Sequence, residues 1–261
     1  MRYPHVVSLQ YRLETTDTVT FDKPESIKVE VDSFQLRLEN NSLIVELSEH
    51  FASAEDARNA VESLLRAWEI DAALRYGKQE IFFVYEDAKI IDRDPLPQGS
   101  PQTVQLSTLG MVGAIGDLSV HVTRRTYPEP PSLFRSSPDV EVLWQRFNGY
   151  LEGREPLLSM AYFCLTVIEA STGVRRNKRQ QAVQDYNIHL DVLNKLGELT
   201  SSRGDPKIAR KFISGDILAP LSSKEVIWIE TAIKVIIRRV GENLSTDSLP
   251  VITLKDLPEL Q

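Results

Sequence analysis

The chain has 261 residues, 42% of them hydrophobic and 26% charged, with a formal net charge of −7 and one cysteine. That length allows one large domain or two modest ones, each with a real core, in a protein of ordinary globular composition. The acidic balance argues against wholesale coating of nucleic acid, and a lone cysteine excludes an intrachain disulfide or a cysteine-cluster metal site.

Residues 6–13 (VVSLQYRL) alternate apolar and polar side chains, as a half-buried strand does. Residues 18–21, 27–31 and 34–38 read as further strands. Asn40-Asn41 is a turn signal, and residues 42–47 return as the second strand of a hairpin. Alternation in nearly every strand implies one solvated sheet face, hence a mostly antiparallel sheet. Ser53 and Asp56 then open a helix in capping-box style, with Ala57, Ala60, Val61, Leu64, Leu65 and Trp68 as its apolar stripe and Gly77 as its stop. Strands resume at 80–85 and near 89–91. Residues 94–99 make a loop, and 103–109 and 118–123 finish the sheet. The expected first domain is 1–126, β-rich, with a packed helix over 53–76.

Residues 127–138 hold four prolines and two adjacent serines, which predicts a linker. Beyond it the pattern is helical. Val140, Leu143, Trp144, Phe147, Tyr150 and Leu151 share one helix face. Residues 157–168 are apolar nearly all round, predicting the most buried helix of a bundle. Val183, Tyr186, Leu190, Leu193 and Leu196 predict one third helix. Asp205 before Pro206 starts a short fourth. Ser222 and Glu225 form a capping box ahead of a fifth, whose face is Val226, Ile229, Ile233, Ile236, Ile237 and Val240. Arg238 and Arg239 suit the negative end of that helix, and Gly241 supplies a left-handed stop. The expected fold class is α+β: an N-terminal, mostly antiparallel sheet with one long helix, then an all-α bundle of four to five helices over 139–244. Residues 245–261 form an extended tail.

The N-terminal MRYPHVVSLQYRLE lacks the apolar core of a signal peptide, and the apolar run 157–168 is too short to span a bilayer. These features predict a cytoplasmic chain without membrane contact. Cys164, inside that run, reads as a small hydrophobe.

Few residues carry recognisable chemistry. Residues 110–116 read GMVGAIG, but lack both the G-x-G-x-x-G spacing and the lysine of phosphate loops, so a bend between strands is expected. Glu86, Asp87, Asp92 and Asp94 surround Lys89, and Asp87-x-Lys89 resembles the acidic half of a metal-dependent nuclease site; a solvated loop explains the same residues. His5, His50, His121 and His189 show no metal-ligand spacing, and His189 reads as a partly buried packing residue. No G-x-S-x-G is present. No catalytic residue, metal ligand or cofactor site is expected.

Charge is unevenly spread. Residues 1–138 carry 14 Lys+Arg against 21 Asp+Glu, and residues 139–261 carry 16 of each. Residues 174–211 hold nine basic and four acidic residues. Arg175, Arg176 and Arg179, with Arg203, Lys207, Arg210 and Lys211, are therefore the candidate anion-binding residues, if the two runs meet. The alternative is a solvated face with ion pairs to Asp185, Asp191 and the acidic N-terminal domain.

A helical region of this size after a β-rich domain resembles the HEPN-type helical domains of bacterial defence and toxin proteins. Active members carry Arg-x4–6-His; here Arg179 is too far from His189, and Arg2 too close to His5. The resemblance implies the architecture without the ribonuclease motif. The segments LGELTSSRGDPKIARKF and LSSKEVIWIETAIKVIIRRVGE are similar to the methylamine utilisation protein MauJ family, which implies no catalytic residue. The leading expectation is a non-enzymatic cytoplasmic interaction or accessory protein, with a protein partner or self-association. The alternative is an RNA-associated, HEPN-like protein of phage defence or toxin–antitoxin type, binding nucleic acid through the basic residues. A third is a metal-dependent hydrolase using Asp87 and Lys89.

Overall fold

The computed structural model describes residues 3–31, 33–93, 121–203, 220–245 and 249–260. The chain is α+β, with an antiparallel sheet and, among the described residues, six α-helices. It divides into two compact units, Met1–Ser132 and Leu133–Gln261.

The first unit is built on a five-stranded antiparallel sheet of order β3-β4-β5-β1-β6. Its strands are β1 (Pro4–Thr15), β3 (Ile27–Val31), β4 (Phe34–Glu39), β5 (Ser42–Leu47) and β6 (Ile81–Asp92). Alternation decides which face is covered. Leu9, Tyr11 and Leu13 of β1 are buried while Gln10 and Arg12 are exposed. The buried face meets α1 (Ala54–Tyr76), whose Val61, Leu64, Leu65 and Trp68 join Leu36, Leu38, Leu43 and Val45 in one core. Ser53 caps α1: its Oγ accepts from Asp56 N (3.1 Å) and donates to Asp56 Oδ2 (2.6 Å). Gly77, at φ 86°, ends the helix in the left-handed region. Asn40 and Asn41 are both left-handed (φ 51° and 60°) and join β4 to β5 as a two-residue mirror-type turn.

Two expectations in this unit change. The two strands expected at 80–85 and near 89–91 are one, β6 over Ile81–Asp92, because it follows nearly the whole of β1, with the register slipping between Val6 and Ser8 and again between Gln10 and Tyr11. Glu86, Asp87 and Lys89 therefore lie on a strand, not in a loop. Val122–Thr126 (β7) does not extend the sheet; it pairs in parallel with β2 (Val19–Glu25) as a separate two-stranded sheet. The expected loop at 94–99, the strand at 103–109 and the glycine stretch 110–116 lie outside the described residues.

Residues 127–138 divide between the units. Tyr127 is buried in the first: its hydroxyl donates to Asn41 Oδ1 and accepts from Asn41 N, both at 2.9 Å. Trp68 Nε1 donates to Pro128 O at 3.0 Å. Phe134 is buried in the second unit, where Arg135 N donates to Gly241 O at 3.1 Å.

The second unit contains α2 (Pro138–Leu151), α3 (Leu157–Ser171), α4 (Lys178–Tyr186), α5 (Leu190–Ser202) and α6 (Ser223–Glu242). The apolar helix α3 touches each of the other four. The single third helix expected from Val183 to Leu196 is two helices, broken at Asn187 (φ 49°). The break turns Ile188 fully inward and points the backbone of residues 187–189 at the C-terminal segment. Ile188 and Ile252 form a parallel bridge in which His189 N donates to Ile252 O (2.7 Å) and Ile252 N to Asn187 O (2.9 Å).

The capping box of α6 forms as expected: Ser222 Oγ accepts from Glu225 N (3.2 Å), and Glu225 Oε2 accepts from Ser222 N (2.8 Å). Gly241 is not its stop. The helix runs to Glu242, with Asn243 as a right-handed cap. Gly241 is needed for closeness instead, since a Cβ there would lie 2.3 Å from the Phe134 ring. The fourth helix expected after Asp205 lies outside the described residues.

Candidate functional site

The basic run follows α3. Arg175 and Arg176 are exposed in the α3–α4 loop and make no ion pair among the described residues. Arg179, the second residue of α4, is turned toward the neighbouring helices. Its Nε binds Glu169 Oε1 of α3 (2.7 Å), its Nη1 binds Asn194 Oδ1 of α5 (3.1 Å), and its guanidinium lies against Gly197. The arginine thus stitches three helices together, and Gly197 leaves room for it. Arg203 closes α5, with Nε 3.0 Å from Glu225 Oε1 at the start of α6. The Ser222 backbone N–H first, and Arg203 after it, hold the Glu225 carboxyl below the usual carboxylate range.

Neither arginine uses the acids expected. Asp185 accepts from Gln181, and Asp191 sits beside His189. Lys207, Arg210 and Lys211 lie outside the described residues. Among the described candidates, Arg175 and Arg176 therefore face solvent, while Arg179 and Arg203 are bound to carboxylates.

His189 is an exposed N-cap, not a packing residue: its Nδ1 accepts from Asp191 N at 3.3 Å. It caps α5 because the break at Asn187 makes position 189 a helix start. Cys164 is fully buried, and burial pushes its thiol up, as expected of a small hydrophobe. Asp87 is exposed on β6 and its Oδ1 accepts from Ala88 N (2.8 Å). No three His, Cys, Asp or Glu side chains converge in metal-ligating geometry among the described residues.

Two polar constellations were invisible in the sequence. The first is a cleft of ≈ 140 Å³ between α1 and the β1–β6 pair, lined by Tyr11, Arg58, Arg66, Glu69, Phe83 and Tyr85 among others. It is smaller than the ~300 Å³ at which small-molecule sites begin. Its groups serve the fold. Glu69 accepts Phe83 N (2.8 Å) and pairs with Arg66 (3.0 Å), while Arg58 lies 4.3 Å above the Tyr85 ring. Burial pushes the Tyr11 phenol up to about 12, so at neutral pH it donates rather than acting as a base.

The second lies where β1 begins and β6 ends. His5, buried on β1, has Nδ1 3.0 Å from His50 Nδ1 and Nε2 2.8 Å from Arg93 Nη2. Tyr3 stacks on His50 with ring centres 4.9 Å apart. A guanidinium only donates, so His5 Nε2 must accept. The neutral ring then carries its hydrogen on Nδ1 and gives it to His50 Nδ1, leaving His50 protonated on Nε2. A metal on His5 Nδ1 would force the hydrogen onto Nε2, against Arg93; the pair is built for a proton, not a cation. Burial first, then Arg93 and His50, lowers the His5 pKa.

A third feature is Arg239, buried in α6. Its Nη1 donates to Tyr186 O and Asn187 O, both at 3.1 Å, at the end of α4. The sequence places a cation at a helix end; the structure spends it on another helix's carbonyls.

No helix among the described residues is long and apolar enough to cross a membrane. No protein-family model, curated protein or solved structure matches the chain.

Proposed function

We propose that the chain is a non-enzymatic interaction or accessory protein of the bacterial cytoplasm, acting through a protein partner or a second copy of itself, with α2–α6 packed as a five-helix bundle. The supporting observation is a pair of exposed apolar side chains, one before α2 and one after α6, held next to each other. Leu133 and Leu244 are 44% and 54% exposed, and Ser245 Oγ binds Leu133 O at 2.5 Å, which holds their two segments side by side. Val251 and Leu254, on the segment bridged to Ile188, are exposed as well. Apolar side chains gathered in water are a common mark of a contact surface. Sedimentation velocity of the full chain over rising concentration tests the self-association arm. A species that grows with concentration, and is lost in the double variant Leu133→Ser/Leu244→Ser, is the expected outcome. Catalytic turnover by the purified, metal-free chain overturns the reading.

A second reading, an RNA-associated HEPN-like protein, draws on Arg175 and Arg176, whose guanidinium groups remain available to phosphate. A mobility-shift titration at rising salt separates the two readings. RNA binding that weakens steeply with salt and disappears in Arg175→Glu/Arg176→Glu favours the second; unchanged migration at low salt removes it.

A further inference from the structure

We infer that His5, His50 and Arg93 form an acid-released latch that holds the β5–α1 loop onto the start of β1 and the end of β6. The chain of bonds runs in one direction: Arg93 donates to His5 Nε2, His5 Nδ1 donates to His50 Nδ1, and the exposed His50 turns its Nε2–H outward. Every bond requires both imidazoles to be neutral. A proton added to His50 enters at Nδ1 and sets two N–H groups against each other. A proton added to His5 enters at Nε2 and faces the arginine. Either event breaks a bond and places like charge or opposed donors in contact.

The groups around the pair come from each neighbouring segment. Arg93 and Asp92 stand at the end of β6, His50 in the β5–α1 loop, and Tyr3 ahead of β1. Tyr3 N donates to Asp92 Oδ1 (3.1 Å), and Arg93 N to Tyr3 O (3.0 Å). Arg93 is bonded to His5 itself, so the full charge in direct contact with that ring opposes protonation. The lowered His5 pKa agrees in sign. The folded state holds its proton less tightly than the unfolded chain. The stabilisation is therefore complete above the ordinary histidine pKa of 6.5 and is lost as pH falls from there toward the depressed folded value.

What the latch restrains is local. His50 is three residues before the Ser53 cap of α1, and the next residue, Phe51, accepts Val6 N through its carbonyl at 2.9 Å. Release of His50 frees the Tyr3 stack and that backbone bond together. The other end of β1 offers an internal control, since Leu13 N is bonded to Asn41 O at 2.8 Å, at the Asn40-Asn41 turn.

The test is imidazole and amide NMR on the full chain. Long-range proton–nitrogen spectra at about pH 8 report the tautomer of each ring. Hydrogen on Nδ1 of His5 and on Nε2 of His50 is expected; hydrogen on Nε2 of His5 overturns the inference without any variant. On acidification through the histidine range, Val6 amide exchange, corrected for its intrinsic pH dependence, should rise about tenfold relative to Leu13. In Arg93→Met the His5 titration should move up toward the ordinary value. In His50→Phe, which keeps the stacking surface for Tyr3, the acid response of Val6 should vanish. Equal protection of Val6 and Leu13 through the titration, or an unmoved His5 in Arg93→Met, refutes the latch.

Discussion

Among the described residues left-handed asparagines stand at the β4–β5 turn and at both ends of α4, and two of these places, the turn and the C-terminal end of α4, redirect the chain by different means. Asn40 and Asn41 join β4 to β5, and Asn187 separates α4 from α5. In the hairpin, the flanking strands pair residue for residue from Phe34↔Leu47 to Glu39↔Ser42, and their alternating side chains choose the register. Local chemistry is enough. At Asn187 the apolar spacing continues straight through the break, from Val183 and Tyr186 to Leu190 and Leu193. There the helix ends because remote groups take over its hydrogen bonds: Arg239 donates to the carbonyls of Tyr186 and Asn187, and Ile252 pairs with the backbone on either side of Ile188. The same residue type therefore marks a locally specified turn in one unit and a tertiary one in the other.

The sharpest way to break this contrast is Arg239→Met. It fills the same space but removes the arginine donor from two part-buried carbonyls, leaving Asn187 O with Ile252 N alone and Tyr186 O without that partner, and should destabilise the chain by about 3 kcal/mol in urea unfolding. Arg239→Lys should restore only part of the loss, because both bonds come from Nη1 and a lysine nitrogen ends one bond short of that position. An undiminished midpoint in Arg239→Met would mean that the break at Asn187 is specified locally after all. Ile252→Ala comes next. Its side chain is 7% exposed, and truncation should cost about 2 kcal/mol and raise amide exchange at His189, whose N–H it holds. Asn41→Gly tests the opposite side: glycine suits the second position of this turn, so the midpoint should shift by no more than about 0.5 kcal/mol. A loss well beyond that would show that the Tyr127 clasp on the Asn41 side chain matters more than the turn itself.

The smallest effect concerns acid. Glu225 has a folded pKa below its ordinary value, so its contribution is present above about pH 4.5 and is lost as pH falls through the depressed value. Glu225→Gln should flatten the acid limb of the stability curve in that window and leave stability at pH 8 only slightly lower. An unchanged acid limb would discard the Arg203–Glu225 tie as a contributor.

Much of the fold was legible because its signals act within one or two turns of chain. The strands over 27–47, the Ser53 and Ser222 caps, the Gly77 stop and the apolar stripe of α6 all appear where the pattern placed them. The strand Ile81–Asp92 reads as two in the sequence because polar residues such as Glu86 and Asp87 look like a loop. On a half-exposed strand they simply face water, and only the pairing with β1 shows that the strand continues. Gly241 was misread for a related reason: its neighbour in space, Phe134, is more than a hundred positions away.

The candidate basic site was legible as a density of charge and no further. Asp185 and Asp191 are the partners in the second half that the sequence offers to the basic run, yet the Arg179 side chain reaches across to Glu169. A long, flexible guanidinium chooses among all the acids its fold brings within reach. His5 and His50 are 45 positions apart and acquire a common proton only when the loop before α1 returns to the start of β1.

What the sequence by itself determined was therefore the class of each segment. Period two or 3.6, a serine before an acid, or an asparagine at a turn each expresses an energy settled between residues close in the chain. Tertiary structure alone decided which arginines of 174–211 remain facing solvent, where the third helix breaks, why residue 241 is glycine and how the proton is placed between two histidines. Those outcomes depend on desolvation and on donors matched to acceptors over long separations, and a side chain's neighbours in sequence hold no record of either.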